Sequence, residues 1–121
     1  MQKMQPIRVS DIYQFKIPLE PNVNHDGSLV VFYVEQMNKK DKTYHSNLYL
    51  TGTNGRGLKQ LTFGKRNDIS PVWSPDGKQI AFIRKSKNNA KQIWLLSMDG
   101  GEALSLTNST SIYFSYISSY L

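Results

Sequence analysis

At 121 residues the chain makes one domain at most, or a piece of one. Its 39% hydrophobic content, with eight glycines besides, is that of a globular protein and argues against disorder over most of the length. Fifteen Lys and Arg against nine Asp and Glu give a net charge of +6, which predicts a basic surface. The absence of cysteine excludes disulfides and thiolate metal sites and agrees with a reducing cytoplasm.

The opening Met1-Gln2-Lys3-Met4-Gln5-Pro6 has no apolar stretch behind its lysine, so it does not read as a signal peptide and a cytoplasmic location is expected. Ser10 to Phe15 reads as one short helical turn, with Ser10 placed to cap the first free amides and Asp11 near the positive end. Pro18 and Pro21 then predict an extended path. The longest apolar run, Leu29 to Val34, is far shorter than the roughly 20 residues a membrane helix requires. No membrane partner is expected.

From Pro21 onward the chain repeats. Pro21-Asn22-Val23-Asn24-His25-Asp26-Gly27 matches Pro71-Val72-Trp73-Ser74-Pro75-Asp76-Gly77 fifty positions on, and Phe32 matches Phe82. Later, Asn47 to Leu50 matches Gln92 to Leu95, and Leu61-Thr62 matches Leu106-Thr107, now forty-five positions on. The difference falls in the polar stretch Asn38 to Ser46, where an insertion only lengthens a loop. Each unit reads as four short strands. In the second they are Pro71–Trp73, Gln79–Lys85, Gln92–Ser97 and Glu102–Leu106, rich in β-branched and aromatic residues. Asp26-Gly27, Asn54-Gly55, Asp76-Gly77 and Asp99-Gly100-Gly101 read as the hairpin turns, each Asp or Asn tolerating a positive φ before a glycine indifferent to it.

Four strands in about 45 residues is the blade of a β-propeller. The fold class expected is therefore all-β, two four-stranded antiparallel blades of an incomplete propeller. The divisions are a lead-in over 1–20, a first blade over 21–66, a second over 67–107 and an atypical tail over 108–121. Two blades do not close a ring, so open blade edges predict self-association.

Trp73-Ser74-Pro75-Asp76-Gly77-Lys78-Gln79-Ile80-Ala81-Phe82 resembles the W-S-P-D-G-K-x-I-A-F signature of TolB-like propeller repeats, and Asp26-Gly27 marks its weaker first copy. With the Asp-Ile-Tyr-Gln-Phe opening, Leu61-Thr62-Phe63-Gly64 and Asn67-Asp68-Ile69-Ser70-Pro71, the arrangement resembles the start of acylaminoacyl peptidases and dipeptidyl aminopeptidases of the prolyl oligopeptidase family. That resemblance covers about residues 7 to 107. It implies a propeller that caps an α/β-hydrolase domain and limits access to a Ser-Asp-His triad, so a peptide substrate would be met only through the hydrolase part. It does not bring the triad into this chain. No Gly-x-Ser-x-Gly elbow occurs, and no catalytic, metal or cofactor residue is assigned. A TolB-like module that holds a protein partner is the alternative.

Two departures stand out. His25 replaces the usual proline, which suggests a weakened first blade. The stretch from Asn108 to Leu121 has no charged residue and no further Ser-Pro-Asp-Gly, so it reads as an abrupt end of a truncated or frameshifted product. The high β propensity of Tyr113 to Leu121 fits either an aggregation-prone segment or a strand that completes a blade or pairs with a partner.

His25 and His45, the only histidines, have no Ser and carboxylate arrangement around them and are expected to be structural or solvated. Lys39, Lys40 and Lys42 in one loop and Lys85, Lys87 and Lys91 in its equivalent should share a face. Such a rim could steer acidic peptides or nucleic acid, but solvated loops are the favoured reading. Nucleic acid is disfavoured because no aromatics interleave. Trp73, Trp94, Phe82 and Phe32 are expected to pack between blades.

Overall fold

The computed structural model describes residues 18–38, 40 and 42–106. The helical turn expected over Ser10 to Phe15 and the atypical tail from Asn108 lie outside the described residues. Eight strands follow one another: β1 (Pro18–Val23), β2 (Leu29–Asn38), β3 (Thr43–Gly52), β4 (Lys59–Gln60), β5 (Asp68–Trp73), β6 (Gln79–Lys85), β7 (Lys91–Ser97) and β8 (Leu104–Leu106). They form two four-stranded sheets in the orders β1-β2-β3-β4 and β5-β6-β7-β8, every pair antiparallel. The fold is all-β. Each sheet is a meander in which neighbours in sequence are neighbours in space, so no crossover is needed.

The first strand of each sheet differs from the expectation in an instructive way. Pro71 does not start β5; the strand begins three residues earlier, at Asp68, and β1 likewise contains both Pro18 and Pro21. The register shifts between Leu19 and Asn22, and again between Ile69 and Val72. At these bulges Glu20 and Ser70 take the left-handed conformation, with φ of 47° and 55°. A bulged residue leaves the ladder, so the proline after it forfeits no ladder hydrogen bond and is tolerated inside the strand. The repeat therefore extends to backbone strain: the two left-handed residues sit fifty positions apart, and the Ser70 hydroxyl donates to the Glu20 carboxylate at 2.7 Å.

Alternation along the strands sorts the core. Val31, Leu48 and Leu50 of the first sheet pack with Trp73, Ile80, Phe82 and Leu96 of the second, which fills the seam between the sheets. Phe32, Val34 and Tyr49 form a separate cluster with Leu58 on the opposite face of the first sheet, where Phe32 and Tyr49 stack at 5.9 Å. Phe32 and Phe82 thus occupy equivalent positions but not the same core. Equivalent faces of stacked sheets point the same way round the stack, so Phe82 meets the first sheet while Phe32 turns away from the second.

Candidate functional site

The signature residues Ser74, Pro75, Asp76 and Gly77 make the turn between β5 and β6. Ser74 N–H donates to Gln79 O and Gly77 N–H to Ser74 O, both at 2.9 Å. The Ser74 hydroxyl accepts from Gln79 N–H at 3.0 Å and donates to Asp76 Oδ1 at 2.6 Å, and that oxygen also accepts Lys78 N–H at 2.9 Å. Gly77 has a φ of 72°; Asp76 is not among the left-handed residues. The expectation that the aspartates supply a positive φ is therefore corrected. Asp76 is needed as a local acceptor, and only the glycine after it needs the left-handed conformation, as in a type I turn closed by a bulge.

The first unit builds the same turn from different atoms. Asn24 stands where Ser74 does, and its Oδ1 accepts the N–H of Leu29 at 2.9 Å and of Ser28 at 3.0 Å. Asp26 Oδ1 accepts Ser28 N–H at 2.9 Å, and Gly27 has a φ of 77°. His25 is exposed and contributes no hydrogen bond to this frame among the described residues. The turn survives the loss of proline because its frame comes from positions 24, 26 and 27. The Ser28 hydroxyl first, and its N–H second, hold the Asp26 carboxyl below its usual range; the Ser74 hydroxyl and Lys78 N–H do the same for Asp76.

Trp73 closes the seam. It is wholly buried, its indole N–H donates to the Asn22 carbonyl at 2.9 Å, and its backbone N–H donates to Asn22 Oδ1 at 3.2 Å. Asn22 is the residue that sequence reasoning missed: it lies in the repeat, but nothing local marks it as the partner of a tryptophan fifty-one residues away.

A second feature was also missed. Asp68, fully buried, receives Arg84 in a two-pronged pair, Nε to Oδ1 at 2.7 Å and Nη2 to Oδ2 at 3.0 Å. The Arg84 guanidinium lies 4.4 Å from the ring centre of Trp94 and 5.4 Å from that of Phe82. Facing positions on adjacent strands create the stack: Asp68 is opposite Arg84, and Phe82 is opposite Trp94. A charge buried beside its counter-charge and a π face avoids most of the cost of leaving water.

The connections between β2 and β3 and between β6 and β7 occupy the same end of their sheets, but only Lys87 lies in the second; Lys85 ends β6 and Lys91 begins β7, paired across the ladder rather than in a loop. Lys39 lies outside the described residues. Lys85, Lys87 and Lys91 do not stand alone: they line a cleft together with Lys65 and Arg66 from the connection between β4 and β5. His45 lies in β3 opposite Gln36, and its buried Nε2 has no hydrogen-bond partner among the described residues. No cluster of three or more His, Asp or Glu side chains placed to hold a metal occurs among the described residues.

No protein-family model matches the chain. An uncharacterized peptidase of Bacillus subtilis, YuxL, is 32% identical over 102 residues, which are 84% of this chain and 16% of that protein. Dipeptidyl-peptidase 5 of Porphyromonas endodontalis is 32% identical over 89 residues, 74% of this chain and 12% of that protein. Among solved structures, the β-propeller domain of the Trilobed protease from Pyrococcus furiosus superposes with a TM-score of 0.57 at 24% identity, over 76% of this chain and 28% of that one. The two sheets are blades of a β-propeller. The chain is the counterpart of the propeller part of these peptidases and spans less than a fifth of the curated relatives it matches. Within the propeller segment, β1 and β5 are the first strands of their blades, and the Trp73–Asn22 contact joins one blade to the next. No helix among the described residues is long and apolar enough to cross a membrane.

Proposed function

We propose that this propeller segment is a non-catalytic, substrate-gating portion of a prolyl oligopeptidase-type serine peptidase of the acylaminoacyl or dipeptidyl kind. One observation carries the reading: the stretch that matches peptidases is the stretch that folds as blades. A ring of such blades in front of an active site admits short or unfolded peptides and turns away folded chains, because the ring's width limits what passes. On this reading the chemistry belongs to sequence outside these blades, because the chain matches only the propeller part of peptidases several times its length. A cytoplasmic setting belongs to the same proposal. Two blades leave faces that a closed ring would cover, which supports self-association of the isolated segment.

The test is hydrolysis by the purified chain of acyl-peptide and dipeptidyl chromogenic substrates. We expect a rate equal to buffer alone. Turnover proportional to chain concentration and abolished by a serine-directed phosphonate would overturn the assignment.

A further inference from the structure

Two clefts adjoin at shared lining residues. The first, about 670 Å³, is lined by Lys65, Arg66, Lys85, Lys87, Lys91 and Trp94, with no acidic side chain among the described residues of its lining. The second, about 500 Å³, shares Arg66, Arg84 and Trp94 with the first and continues to Leu61, Phe63 and Ala103, with Glu102 the one acid among the described residues of its lining. Together they make a groove that is cationic at one end and apolar at the other.

We propose that this groove docks an acidic polypeptide segment that carries an apolar side chain next to its carboxylates. The cations come from two separate stretches, 65–66 and 85–91, and the first of these is held in place. The Arg66 carbonyl accepts Ser46 N–H of the first blade at 2.7 Å, and the Asn67 carbonyl accepts Lys85 N–H of the second at 3.0 Å. A connection tied to both blades presents its charges with little ordering left to do on binding, which favours affinity. Arg84 adds little net charge, because Asp68 takes both prongs of its guanidinium, and Lys65 has an interaction of its own, so the attraction rests on Arg66, Lys85, Lys87 and Lys91. Arg84 covers the Trp94 ring instead.

The ligand class follows from three features. Most of the cations are lysines, point charges that attract an anion without demanding the two-pronged geometry that an arginine fork reads. Stacking of successive nucleic-acid bases needs a row of open aromatic faces, and with Arg84 over the Trp94 ring Phe63 is the one exposed ring in the described lining. Phe63, 64% exposed at the far end, offers an apolar contact that a wholly charged ligand would waste.

The experiment is fluorescence anisotropy with the intact chain and a labelled short Asp/Glu peptide ending in Phe, compared with its Asn/Gln counterpart, the same acidic peptide without Phe, and oligo-dT. The acidic peptide ending in Phe should bind at least about tenfold more tightly than the neutral one, and lose about tenfold between roughly 20 and 200 mM salt. Lys87→Glu with Lys91→Glu should weaken it by about tenfold or more, whereas Lys78→Glu, in the turn at the opposite end of the blade, should change it less than about twofold. Phe63→Ser should weaken the peptide ending in Phe by about threefold and spare the one without it. Equal weakening by Lys78→Glu would reduce the effect to net charge and overturn the site. Tighter binding of oligo-dT, or no binding of the acidic peptide, would overturn it as well.

Discussion

Replacing Trp73 by alanine tests whether the seam unites the two blades. The side chain is completely buried among Val31, Leu48 and Leu50 of the first blade and Ile80, Phe82 and Leu96 of its own. Truncation of a fully buried tryptophan costs about 3–5 kcal/mol in lost burial and residual cavity. The indole N–H to the Asn22 carbonyl adds to this, since the carbonyl left without a donor is itself worth about 1 kcal/mol. Small domains hold only about 5–15 kcal/mol in all, so Trp73→Ala should remove a large share of the chain's stability. Trp73→Phe keeps most of the apolar volume and drops the hydrogen bond, so its loss should be about 1–2 kcal/mol. Urea melts followed by circular dichroism give the magnitudes, and amide hydrogen exchange in Trp73→Phe shows where protection is lost. Protection should fall in both sheets, because the residue belongs to both. A loss below about 1 kcal/mol for alanine would refute the reasoning. So would protection that falls in β5 to β8 and holds in β1 to β4.

The buried ion pair gives a second expectation. Asp68→Asn leaves the Arg84 charge without its counter-charge and should cost about 3 kcal/mol, the low end for such pairs, since the arginine side chain keeps 14% exposure. Adding Arg84→Met should recover part of that loss in the same melts; a double variant weaker than the single one would contradict the account. A third concerns pH. The folded forms of Asp26 and Asp76 ionise below the usual carboxylate range, so their contribution is present above the unfolded values near 4 and lost as pH falls through the folded ones. Thermal midpoints should hold from about pH 7 to pH 5 and drop below about pH 4, and a variant carrying Asp26→Asn and Asp76→Asn should drop less steeply. Burial raises Tyr33 and Tyr49, with Glu20 and Glu35 adding to the shift at Tyr33. Stability should therefore also decline above about pH 10, where the unfolded tyrosines ionise more readily.

The strands and turns were open to reading because their signals are local. β-branched and aromatic runs such as Leu29 to Val34 and Gln79 to Ile83, punctuated by Asp-Gly, specify hairpins whatever surrounds them. The bulges were not open to reading. Glu20 and Ser70 carry no glycine signal, and their left-handed backbone is held by the ladder on either side. Lys65 and Arg66 escaped the basic grouping for a similar reason: they are some twenty residues from Lys87 in the chain and meet it only across the seam.

By itself the sequence determined a unit of four strands used twice, with the turn frame at positions 24–27 and 74–77, because period-two alternation and turn chemistry act over a few residues. Tertiary structure alone decided which face meets which. It set Phe82 in the seam and Phe32 outside it, gave Trp73 its partner in Asn22, and hid Asp68 beneath Arg84. Equivalent residues in a repeat share their local geometry, but each takes its neighbours from its place in the stack.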